Sequence, residues 1–172
     1  MQPSGQADHF ARLGFDRRYD LDPKEVERRY FQLQRRLHPD RFATKSPKER
    51  ALSQAQATSL NEAYETLMDP LARALYLLRL SGIETGGDGR TIDDPALLME
   101  AMEMREALAE ARSGAEVEAV VAKARANAES CRADLARAFA AGELETARKD
   151  TLRLTYLDKV IEEARARRLN VA

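Results

Sequence analysis

His38, Pro39 and Asp40 set an imidazole and a carboxylate on either side of a ring that fixes the backbone. Proline disfavours the helical conformation in the residue before it, so this spacing predicts a helix that stops near His38 and an exposed, stiffened corner presenting both groups. Taken alone, the tripeptide serves equally well as a plain helix terminator. Nothing around it completes a nucleophile–base constellation, and the sequence has no G-x-x-x-x-G-K phosphate loop, so no catalytic residue is assigned. Cys131 is the one cysteine, and His9 and His38 are the two histidines. That inventory supplies neither an internal disulfide nor a Cys/His metal cluster, and no metal or cofactor is expected.

The cations near this corner are patterned. Lys24, Arg28 and Arg35 fall on one side of a helix at about 100° per residue, opposite a Val26/Leu33/Leu37 stripe. Arg29 and Arg36 lie on a flank, and Arg41 follows the corner directly. Such a run is either a solvated face or a surface for an acidic protein partner. Nucleic acid is a poor match: the net charge is −1 over the chain, and residues 1–80 carry only 14 Lys and Arg against 11 Asp and Glu.

The elements that must hold these groups are helical throughout. Asp22-Pro23, Ser46-Pro47, Asp69-Pro70 and Asp94-Pro95 each mark a helix start, with Ser46 and Glu49 set as a capping box. Gly14, Gly82, Gly114 and Gly142 mark helix ends or turns. The apolar spacing predicts helices near 8–13, 23–37, 48–68 and 70–81, then near 95–112, 115–140 and 143–168. Gly86-Gly87-Asp88-Gly89 places a linker within 81–92, between a front domain at 8–80 and a back domain at 93–168. Short turns join the last three helices, so the back domain is expected to be a three-helix bundle, and the fold all-α. With 44% hydrophobic and 33% charged residues the chain is of the soluble globular type. It has no apolar run of the roughly 20 residues that span a membrane, and its polar start lacks a leader profile, so a cytoplasmic location is expected.

The basic helix, His38-Pro39-Asp40, Asn61-Glu62-Ala63-Tyr64-Glu65-Thr66-Leu67 and Asp69-Pro70 with Arg73-Ala74 together resemble the J domain of DnaJ-type co-chaperones, across about residues 8–76. That resemblance implies a helical hairpin with flanking helices that docks on a DnaK-type chaperone and stimulates its ATPase. His38, Pro39, Asp40, Lys24, Arg28, Arg29, Arg35, Arg36 and Arg41 would form the chaperone-binding surface. Asp40 would make a charge-assisted pairing, and His38 would orient and hydrogen-bond. The Gly/Phe-rich linker and zinc-binding region of many J proteins are not present in this sequence.

A second pattern begins at Leu97. Leu97, Ala101, Met104 and Leu108 fall within one narrow stripe that suits a bundle core. Leu98, Met99 and Met102 lie on a separate arc beside Glu103, Glu106 and Glu110. An apolar strip bordered by carboxylates is suited to docking; the alternative is that Leu98 and Met102 widen the core stripe or pack on the J domain. Leu98-Met99-Glu100 through Leu108 is similar to the L-M-E-x-x-E-x-R-E-x-L region of the HscB family of iron–sulfur assembly co-chaperones. Arg73–Gly82 and Tyr156-Leu157-Asp158-Lys159 match that family too. The resemblance implies an HscA/DnaK-type ATPase and an IscU-type scaffold as partners. Leu98, Met99, Met102, Glu103, Glu106, Glu110 and Tyr156 would form the client-binding surface. A general J-domain adaptor with another client is the alternative. Val117, Val120, Val121, Ala124, Ala128, Cys131, Leu135 and Phe139 trace a core stripe, so Cys131 is expected to be a small buried hydrophobe. Leu154, Leu157 and Ile161 do the same in the last helix, with Tyr156 and Val160 off the stripe.

Overall fold

In the computed structural model, which describes residues 7–85 and 92–168, the helical starts follow their caps. Asp8, Asp22, Ser46, Asp94 and Ser113 each accept a hydrogen bond from a first-turn amide, satisfying donors that the helix itself leaves unpaired. The resulting elements are α1 (His9–Arg12), α2 (Pro23–Leu37), a 3-10 turn (Pro39–Phe42), α3 (Pro47–Met68) and α4 (Pro70–Leu80), then α5 (Pro95–Glu110), α6 (Gly114–Ala141) and α7 (Leu144–Arg168). Among the described residues there is no strand, and the fold is all-α. The expected capping box is complete, with the Glu49 amide donating to Ser46 and the Ser46 amide to Glu49.

The chain divides into two compact units, with the boundary between Leu77 and Leu78. The glycine-rich stretch proposed as the linker lies outside the described residues.

In the first unit α2 and α3 run antiparallel. Tyr30 near the middle of α2 stacks on Tyr64 at 4.1 Å between ring centroids and donates to Asn61 at 2.7 Å, while Leu37 at the end of α2 meets Ser53. Phe10, Leu13, Val26, Leu60, Ala63 and Leu67 are buried between the helices. Arg73 is buried as well. Its guanidinium donates to the carbonyls of Leu67 at 2.9 Å and Tyr19 at 2.5 Å, tying the loop before α2 to the end of α3. Burial holds this arginine below its ordinary pKa, with nearby Tyr19 and Asp20 opposing the shift.

In the second unit α7 packs against both α5 and α6. The turn between α6 and α7 closes at Gly142, whose φ of +71° is a left-handed conformation that suits glycine; the Glu143 amide reaches back to Ala138 at 2.9 Å. The turn expected at Ser113-Gly114 narrows to Ser113, which caps α6, and Gly114 is the first residue of that helix. Val117, Val121, Ala124, Ala128, Cys131 and Leu135 are buried along α6, with Val120 and Phe139 half-buried.

The single-stripe projection fails for α7. Tyr156 and Val160, expected off the core stripe, are buried together with Leu152, Leu154 and Leu157, while Ile161 is half-buried. A helix flanked by two neighbours buries two faces, and one hydrophobic stripe cannot describe it. Leu97 of α5 also departs from the core assignment. It sits in the first turn, at the outer end of the stripe, and is only half-buried, whereas Ala101, Met104 and Leu108 are buried.

Candidate functional site

The corner after α2 is held from below by Ser53, a buried hydroxyl that donates to the Leu37 carbonyl at 3.1 Å. This bond satisfies an acceptor at the end of α2, where the helical ladder stops before a residue that has no amide hydrogen to donate. His38 leaves the helix with ψ of 130°, and the chain turns directly into the 3-10 segment. The Asp40 amide donates to His38 Nδ1 at 3.3 Å, and the Arg41 amide donates to the His38 carbonyl at 3.0 Å. A neutral imidazole that accepts at Nδ1 carries its proton at Nε2. The Asp40 carboxylate lies 3.5 Å from the same Nδ1 and is 92% exposed. It is a charge presented to solvent with almost nothing of its own chain around it.

The cations on α2 divide by surroundings. Lys24, Arg28, Arg35 and Arg36 are exposed, as is Arg41 beyond the corner. Arg28 pairs with Glu25 at 2.6 Å, and hydrogen bonds from Arg28 and then Arg29 hold the Glu25 carboxyl at about 2. Arg29 is the exception. Its guanidinium lies 4.0 Å over the Phe15 ring and donates to the carbonyl of Gly14, as well as pairing with Glu25 at 2.9 Å. Arg29 therefore fastens the loop after α1, a task that charge patterning along α2 does not reveal.

In the second unit α5 presents the strip expected from its second arc. Leu98, Met99 and Met102 are 46%, 64% and 63% exposed, and Glu103, Glu106 and Glu110 are exposed beside them. The strip borders a hollow of about 190 Å³ lined by Leu98, Ala101, Met102, Arg105, Leu152 and Tyr156 among others. Tyr156 is only 4% exposed, so it forms the floor of this hollow and is not a surface projection. Its hydroxyl donates to Glu100, which also accepts from Arg153 at 2.9 and 3.0 Å and from Asn127 at 2.8 Å.

Glu100 enters the sequence reading only as a letter of the L-M-E motif and was assigned to no site. Its place between two methionine-bearing turns of α5 is unremarkable there, and its three partners lie 27 to 56 positions away. Burial opposes its charge, but hydrogen bonds from Arg153 and Tyr156 outweigh that and hold the carboxyl below its ordinary value. The phenol of Tyr156 is shifted upward, first by burial and then by the neighbouring carboxylate.

Cys131 takes no part in either surface. Its thiol is buried, donates to the Asp150 carbonyl at 3.1 Å, and is pushed up to about 12 by burial. Among the described residues no group of His, Cys, Asp and Glu is arranged to hold a metal ion, and no helix is long and apolar enough to cross a membrane.

Comparison with known proteins follows the division into units. Residues 8–76 match the DnaJ domain family, and residues 93–165 match the HSCB C-terminal oligomerisation domain family. The iron–sulfur cluster co-chaperone protein HscB of Mus musculus is 36% identical over 160 residues, covering 93% of this chain and 68% of the mouse protein. The crystal structure of human co-chaperone protein HscB superposes with a TM-score of 0.91 at 32% identity, over 98% of this chain and 85% of that one. The chaperone HscB from Vibrio cholerae gives a TM-score of 0.84 at 34% identity, over 96% of this chain and all of that one (100%). With a J-type hairpin, its exposed His-Pro-Asp corner and the matching helical bundle on one chain, this protein belongs to the HscB family of iron–sulfur cluster co-chaperones.

Proposed function

We propose that this co-chaperone of iron–sulfur cluster assembly joins two proteins: a DnaK/HscA-type ATPase chaperone at the His38-Pro39-Asp40 corner, and an IscU-type scaffold at the exposed face of α5. The observation that carries the reading is the Leu98/Met99/Met102 strip, left open to solvent and bordered by carboxylates, on the same chain as the open corner. Methionine side chains adapt to irregular partner surfaces, and the acids fix register. On the chaperone side, Lys24, Arg28, Arg35, Arg36 and Arg41 steer an acidic surface. Asp40 then pairs with a basic group, and His38 donates from Nε2. Arg29 supports the surface by holding its loop. Attaching the scaffold and the ATPase to one chain raises the effective concentration of one at the other, which couples delivery to ATP hydrolysis. The chain activates a partner's ATPase and contributes no active site of its own.

The test is steady-state ATP hydrolysis by an HscA-type chaperone, with and without the scaffold. Wild-type protein should stimulate turnover, with a further increase when scaffold is present. Asp40→Asn keeps size, removes charge and should abolish stimulation while scaffold binding persists. Normal stimulation by Asp40→Asn would overturn the assignment of the corner. Stimulation indifferent to scaffold, with no scaffold binding, would return the protein to a general adaptor.

A further inference from the structure

Phe31 stands out among the aromatic residues of this chain. Of the phenylalanines, Phe10 and Phe15 are buried, Phe42 and Phe139 are half-buried, and Phe31 is 45% exposed. A single exposed apolar residue is common on protein surfaces and needs no explanation by itself. Its position supplies one. Lys24, Arg28, Phe31 and Arg35 recur at spacings of four, three and four, which puts all four within about 60° of arc on α2. Phe31 is thus at one edge of the cationic stripe, between Arg28 and Arg35 along the helix, on the side away from buried Val26. It is also anchored. Its ring lies 5.2 Å from that of Tyr30, which is fixed by its stack on Tyr64 and its bond to Asn61.

We infer that Phe31 is the apolar anchor of the chaperone-docking face, entering an apolar notch within an acidic surface of the ATPase partner. This inference rests on the reading above that the basic face of α2 meets the chaperone. Charge complementarity sets the occupant: a ring with Arg28 one turn before it and Arg35 one turn after it fits an apolar notch bordered by carboxylates. The two kinds of group then act at different stages. The exposed cations act over distance and govern encounter, in a manner screened by salt. The ring acts only on contact and governs how long the complex lasts, as buried aromatic anchors at the centre of interfaces do.

The experiment is stopped-flow or surface-based kinetics with a purified HscA-type chaperone and ATP at two salt concentrations. Phe31→Ala should raise the dissociation rate about tenfold, leave the association rate within about twofold, and leave its salt dependence intact. Paired reversal of Arg28 and Arg35 to Glu should instead lower the association rate and flatten that dependence. Asp40→Asn is the control for the underlying reading. Wild-type protein that never engages the chaperone, or engages it regardless of Asp40, overturns that reading and the anchor with it. Asp40-dependent engagement from which Phe31→Ala dissociates like wild type overturns the anchor alone. If Phe31→Ala melts early, Phe31→Leu and Phe31→Gln decide: Leu should dissociate more slowly than Gln, and equal rates overturn the proposal. Binding to phosphatidylserine vesicles that is lost in Phe31→Ala, with the chaperone off-rate unchanged, would reassign the residue to a lipid surface.

Discussion

Replacing Glu100 with Ala removes the acceptor shared by Arg153, Tyr156 and Asn127 and leaves their donors facing one another beneath the α5 strip. Breaking a fully buried pair by deleting one member costs about 3–5 kcal/mol, because the other charge stays desolvated. Here the Glu100 and Arg153 side chains keep 23% and 21% exposure, so water recovers part of that loss and about 2–3 kcal/mol is expected. In a unit of roughly 95 residues, 1 kcal/mol moves the melting temperature about 4–8 °C, so Glu100→Ala should lower the transition of the second unit by about 10 °C or more. Tyr156→Phe keeps the ring and deletes one hydrogen bond, costing about 1 kcal/mol. The effects should be less than additive when combined, since the two residues share a bond. The sign with pH follows from the lowered Glu100 pKa. Its stabilising contribution is complete above the ordinary Glu value of 4.5 and is lost as pH falls through the lower folded value. The gap between wild type and Glu100→Gln should therefore close in acid. Thermal unfolding followed by circular dichroism from pH 7 to pH 3 measures all of this. A Glu100→Ala transition within about 1 °C of wild type at pH 7 would refute the reasoning, because it would mean that Arg153 and Tyr156 are equally well satisfied without the carboxylate.

The α5 strip and its core stripe should part company on mutation. Changing Leu98, Met99 and Met102 together to Ala should reduce scaffold affinity at least about thirtyfold with little change in melting, whereas Met104→Ala or Leu108→Ala should cost about 2–5 kcal/mol each. A triple variant that melts early but binds scaffold normally would move those residues into the interior. Cys131 should resist alkylation at pH 7.5 in the native state and react fully once unfolded, since a buried thiol with its pKa near 12 has almost no thiolate. Native labelling at the rate of a free thiol would contradict its burial.

Local signals carried far in this chain, and they stopped where distant partners begin. Asp22-Pro23, Ser46-Pro47 and Asp94-Pro95 fix helix starts because cap and first turn lie within four residues of each other, and the structure places all three as expected. The His-Pro-Asp corner was legible for the same reason, as was the exposure of Leu98, Met99 and Met102, whose arc diverges from the Ala101/Met104/Leu108 stripe. Arg29 was not. It has the same local charge pattern as its neighbours on α2, and only the Gly14 carbonyl and the Phe15 ring, about four helical turns back in sequence, make it structural. The burial of Tyr156, which the sequence placed on the client-binding surface, was unforeseen for a related reason. A projection knows one helix, and α7 has a neighbour on two sides.

The two surfaces share a principle of construction that periodicity does not show. Each is presented by residues with few contacts of their own, and each is positioned from beneath by a polar side chain whose partner lies on another helix. Ser53 of α3 grips the last carbonyl of α2 under the His-Pro-Asp corner, and Glu100 of α5 grips Arg153 and Tyr156 of α7 under the methionine strip. Apolar packing alone lets a helix rotate or slide by small amounts at little cost, because dispersion contacts are many and individually weak. A hydrogen bond between partly buried groups fails when its geometry shifts by a fraction of an ångström, so it fixes register where packing only favours it. Under the proposed function that rigidity has a use: Asp40, Leu98 and Met102 would make their energy only on contact, and any freedom they kept beforehand would be lost on binding and subtracted from affinity.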